Sequence, residues 1–119
     1  MSDSLEDRAE RTISRDGLTP NELEHELAML GARWKIDGKA LRLDLSGPMA
    51  RNGLVAAHAA ALADELDHHP RIVLERTAMS LTIQNTGEVS VLDLVYAARV
   101  EQWLRANGWP QATQATQAT

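Results

Sequence analysis

Asp64-Glu65-Leu66-Asp67-His68-His69-Pro70 ends one helical pattern and opens an extended one. The reading of this junction organises the chain. Pro70 biases the residue before it towards extended backbone, so the helix is predicted to stop at or near His69. Two imidazoles then fall at a helix-to-strand corner, where side chains can project into a cleft. Histidine is the side chain best suited to moving protons near neutral pH.

Working outward, the helix before the corner is predicted to start near Asn52. Leu54, Val55, His58, Ala61, Leu62, Glu65 and Leu66 are expected on its inner side. After Pro70, Ile72–Arg76 and Met79–Ile83 read as strands, with Met79, Leu81 and Ile83 facing a core and Ser80 and Thr82 facing away. Nearer the N-terminus, Trp34–Ile36 and Leu41–Leu45 flank Asp37-Gly38, a strong hairpin signal.

Two further helices have explicit start signals. Thr19-Pro20-Asn21-Glu22 places a capping threonine before a proline, with Glu22 at capping-box spacing. Leu23, Leu27 and Leu30 then share a face until Gly31. Ser90 and Asp93 repeat the capping-box spacing before Leu92, Val95, Tyr96, Val100, Trp103 and Leu104, and Gly108 and Pro110 end that helix. The order α-β-β-α-β-β-α predicts an α+β fold: a four-stranded antiparallel sheet with three helices packed on one face. Residues 1–17 read as a mobile charged arm, 18–109 as the domain, and 110–119 as a disordered Gln-Ala-Thr tail.

Composition narrows the function classes. At 119 residues the chain is one small domain, able to bury roughly two-thirds of its unfolded surface. A formal charge of -5 argues against nonspecific binding to nucleic acid or an anionic membrane. The absence of cysteine excludes disulfides and thiolate chemistry. No apolar run reaches membrane-spanning length, and no secretory signal opens the chain, so a cytoplasmic protein is expected. With no Phe and only three Trp and one Tyr, the core must come from Leu, Val, Ile, Ala and Met.

Asp64, His68, His69 and Pro70, in the order acidic residue, three spacers, His-His-Pro, resemble the signature of the pterin-4a-carbinolamine dehydratases. Trp34 matches a tryptophan near the start of that family's first strand, and Asp93-Leu94 with Glu101-Gln102 suits its last helix. The resemblance covers most of residues 18–107 and implies the same α+β fold, a homodimer or tetramer, and a pterin ligand without any other cofactor. It also implies a site in which His68, His69 and Asp93 do the chemistry and Asp64, Pro70 and Trp34 line the ligand pocket. The family's third histidine, after the last strand, has no counterpart in Gln84–Ser90; Thr86 is expected in its place. Where the family usually has an aromatic ring five residues past the proline, the adjacent position is Arg76. These departures imply an incomplete active site.

Arg76-Thr77-Ala78-Met79-Ser80-Leu81-Thr82-Ile83 is similar to the branch of the family that serves as the Rubisco assembly factor of α-carboxysomes. That similarity implies a non-catalytic chaperone with the Rubisco large subunit as partner, and carboxysome association. Arg71, Arg76 and Arg99 are then the candidate partner contacts, because arginine is enriched in interfaces. The alternative is an active 4a-hydroxytetrahydropterin dehydratase.

Each residue also has a plain structural reading. His68 and His69 serve equally as polar helix terminators, Asp93 as a capping-box residue, and His58 as a packing histidine. The four histidines show no metal-ligand spacing, so no metal is expected.

Overall fold

The computed structural model describes residues 5–11, 16–84 and 87–110. Its elements are α1 (Leu5–Ala9), α2 (Pro20–Leu30), β1 (Trp34–Asp37), β2 (Ala40–Ser46), α3 (Met49–Leu66), β3 (Arg71–Leu74), β4 (Ala78–Gln84) and α4 (Val91–Ala106). The strands form one antiparallel sheet in the order β1-β2-β4-β3.

Register follows from the alternation of side chains. Leu41 lies opposite Ile83, Leu43 opposite Leu81 and Leu45 opposite Met79. All six are buried on the helix-covered face. Arg42 faces Thr82 and Asp44 faces Ser80 on the open side. The Asp37-Gly38 hairpin forms with Gly38 at φ 64°, a conformation that glycine adopts without steric cost.

Both predicted capping boxes are present. Thr19 Oγ1 accepts from the Glu22 amide while Glu22 accepts from the Thr19 amide, a bond that holds the Glu22 carboxyl below its ordinary value. Ser90 and Asp93 make the equivalent exchange at α4.

Three expectations are corrected. Within residues 1–17, read as a mobile arm, Leu5–Ala9 form a short helix, α1, that packs on α4. Arg8 is buried and forms a two-pronged ion pair with Glu26 of α2. A five-residue helix cannot hold itself, so this pair and the bond from Arg99 Nε to the Ala9 carbonyl secure it. Second, the buried face of α3 overlaps the expected one only in part, at Val55 and Leu62. The buried stripe is Asn52, Val55, Ala59, Leu62 and Ala63, while Ala61 and Glu65 are exposed and Leu54 is 62% exposed. Third, α3 ends at Leu66, before the histidines. Asp67 takes a left-handed conformation, and the His68 amide reaches back to the Ala63 carbonyl. Thr86 and the tail over 111–119 lie outside the described residues. Pro110, the first residue assigned to the tail, is described, and its carbonyl accepts from Arg33.

Candidate functional site

After the left-handed turn at Asp67 the two histidines differ in burial. His68 turns inward and is 9% exposed. Its Nε2 lies 2.5 Å from Asp93 Oδ1. His69 turns outward, with its side chain 59% exposed, and its Nε2 lies 3.0 Å from Asp64 Oδ1. Each imidazole therefore has its own carboxylate, one buried on α4 and one solvated on α3.

Asp93 is held from both sides. Its Oδ2 accepts from the Ser90 amide at 2.7 Å and the Ser90 hydroxyl at 3.1 Å, which leaves Oδ1 aimed at His68. A carboxylate at a helix N-terminus is stabilised by the exposed amides and the helix dipole. A buried carboxylate accepts, so His68 Nε2 carries the proton and Nδ1 is the acceptor in the neutral ring. Asp93 is thus capping residue and histidine orienter together, which the capping-box spacing alone does not reveal.

The other candidates are dispersed. Pro70 is half-buried and starts the extended segment into β3. Trp34 is not brought to the histidines. It is buried, and its indole N–H donates to Glu101 Oε1 at 2.9 Å. Glu101 lies eight residues along α4 from Asp93, roughly 12 Å of helix. Arg71 is exposed on the open sheet face beside Thr82, and Arg76 is exposed in the β3–β4 connection. Arg99 is engaged within the molecule: beside its bond to Ala9, it lies 3.7 Å from Glu65.

Several contacts of residues named from sequence were not foreseen. Glu101 is fully buried and binds Arg33, Arg105 and Trp34. Of these contacts, only the Glu101–Arg105 spacing was readable locally. Tyr96, assigned to the core, also sets its ring edge-on to His68. His58 stacks on Trp103 with ring centroids 5.0 Å apart. Its Nε2 is buried with no hydrogen-bond partner among the described residues, and burial holds its pKa below the ordinary value. No group of three or more His, Asp or Glu that could hold a metal occurs among the described residues. No described helix is long and apolar enough to cross a membrane.

Comparison with known proteins bears on the family and the fold. A family model described as pterin 4 alpha carbinolamine dehydratase matches residues 16–103. A Streptomyces avermitilis protein named "Putative pterin-4-alpha-carbinolamine dehydratase" is 34% identical over 97 residues, 76% of this chain and 93% of that protein. The crystal structure of a transcriptional coactivator/pterin dehydratase from Brucella melitensis superposes with a TM-score of 0.65 at 24% identity. That match covers 73% of this chain and 97% of the other, and it shows a shared fold.

The fold and the paired histidines define a pterin-dehydratase-like α+β domain. The chain belongs to the pterin-4a-carbinolamine dehydratase family. Helix α1 lies before the segment that the family model matches.

Proposed function

We propose that the His68–His69 corner binds a 4a-hydroxytetrahydropterin and removes water from it. The observation that carries this reading is the separate carboxylate partner of each histidine, in a chain of the dehydratase family. The reaction needs one group to protonate the departing hydroxyl and another to take the ring nitrogen's proton. His69, open to solvent, supplies the proton as the C4a–O bond breaks and water leaves. Nδ1 of His68 takes the proton from the ring nitrogen, giving the quinonoid dihydropterin. Asp93 stabilises the imidazolium formed on His68. The two histidines return to their starting states by exchanging protons with water.

The test is the dehydration rate with purified protein beside His68→Ala and His69→Ala. A rate above buffer that both substitutions abolish supports the reading. A wild-type rate equal to buffer overturns it.

A second reading rests on the absence of histidine from Gln84–Asp93, which leaves the family's third proton-handling position without an imidazole. In it the corner is catalytically idle, and the domain is a cytoplasmic assembly factor for the Rubisco large subunit, acting as a homodimer and associated with carboxysomes. Exposed Arg71 and Arg76 are the contacts. A pull-down with purified Rubisco that Arg76→Ala weakens, at unchanged melting temperature, supports this role; no capture by the wild type removes it.

A further inference from the structure

Tyr96 is a fully buried aromatic side chain whose position in the core accounts for only part of its geometry. It sits three residues after Asp93 on α4, so both project from the same side of the helix. Asp93 takes the Nε2 of His68. The Tyr96 ring stands against the same imidazole, with centroids 6.3 Å apart and planes at 74°, an edge-to-face arrangement.

The tyrosine is itself tied down. Its hydroxyl donates to the Ala59 carbonyl of α3 at 2.5 Å. Burial pushes the phenol above its ordinary pKa, so it stays a neutral donor. Leucine or methionine could fill this space without adding a buried hydroxyl that needs a partner. The hydroxyl instead fixes the ring to α3, whose C-terminal end leads through Asp67 into His68. One helix thus contributes both the carboxylate that selects a ring nitrogen and the wall that limits ring rotation.

We propose that Tyr96 is a positioning residue for His68, holding the imidazole so that Nε2–H stays on Asp93 and Nδ1 turns away as the proton acceptor. This role rests on the reading of His68 as a proton-handling group, but its test needs neither pterin nor turnover.

The experiment is NMR of the ligand-free, full-length protein labelled with 15N in histidine rings, with the His68 signals assigned through His68→Gln. The wild type is expected to show a single Nε2–H tautomer and a protected ring proton. Tyr96→Leu should mix the two tautomers and speed exchange of that proton by about fivefold or more, with the backbone spectrum otherwise retained. Tyr96→Phe keeps the ring but loses the Ala59 bond, and should speed exchange by about twofold while keeping the tautomer. A folded Tyr96→Leu with the wild-type tautomer and exchange rate overturns the role. If that variant does not fold, Tyr96→Phe decides alone: faster exchange supports the role and wild-type exchange overturns it. A positive NMR result beside a dehydration rate equal to buffer leaves the role standing and removes the dehydratase reading.

Discussion

Nε2 of His68 and Oδ1 of Asp93 lie 2.5 Å apart across 25 residues of sequence, so the end of α3 and the start of α4 share one buried carboxylate. The same carboxylate caps α4 through Ser90. The orientation of His68 and the capping of α4 are thereby coupled, and changes at either residue should move both.

Asp93→Asn keeps an acceptor for the Ser90 amide but removes the charge opposite His68. Loss of one charge-assisted buried bond should cost about 1.5–3 kcal/mol. Urea unfolding reads the stability change, and the dehydration assay should show a fall in kcat of about tenfold or more.

Ser90→Ala removes the hydroxyl from the cap while the Ser90 amide still donates to Asp93. The expected loss is about 1 kcal/mol. It should appear as a lower urea midpoint with an unchanged slope; a changed slope would indicate an altered native or denatured state.

Glu101 is fully buried between Arg33 and Arg105. Glu101→Gln leaves those guanidinium groups without their anion, at a cost of about 3–5 kcal/mol. Trp34→Phe removes the indole bond and some buried ring volume, and should cost about 1–3 kcal/mol. A double-mutant cycle tests the link: additive losses would show that Trp34 and Glu101 do not interact.

Burial lowers the His58 pKa below its ordinary 6.5, an effect that the nearby Glu65 charge opposes. The unfolded chain then binds the proton more readily than the folded one. This group's stability contribution is full above pH 6.5 and is lost as pH falls through the lowered folded value. His58→Phe keeps a ring against Trp103 and removes the titration. Melting curves should show the variant gaining on the wild type as pH drops from 8 towards 5, about the range that brackets histidine ionisation. A constant difference across that range refutes the assignment.

Arg8→Ala removes the two-pronged partner of the buried Glu26 carboxylate, leaving it Arg11 at 3.8 Å, and releases α1. Limited proteolysis should cut the N-terminal segment faster than in the wild type while the rest of the domain resists. Equal cleavage rates would mean that Arg8 does not hold the helix.

The features legible in the sequence were those closed within a few residues. Thr19 with Glu22 and Ser90 with Asp93 form capping boxes because their partners are three residues apart. Asp37-Gly38 turns because glycine tolerates positive φ, and the strand alternation of Met79, Leu81 and Ile83 is a property of extended backbone itself. The motif Asp64 to Pro70 likewise located the corner and the family. Hydrophobic count along α3 found Val55 and Leu62 but also drew in the exposed Leu54, which looks apolar in any window. Which stripe is buried depends on where the sheet and α4 stand, and the packed stripe begins at Asn52.

Tertiary structure alone decided which histidine is buried, which carboxylate each one meets, and that Trp34 serves Glu101 instead of the corner. It also decided that the N-terminal arm carries a docked helix held by Arg8 and Glu26. The physical reason is distance along the chain. Caps and turns gain their energy from neighbours, so local residue order specifies them. Buried ion pairs and ring contacts between distant segments form only once the core has excluded water and brought their partners together.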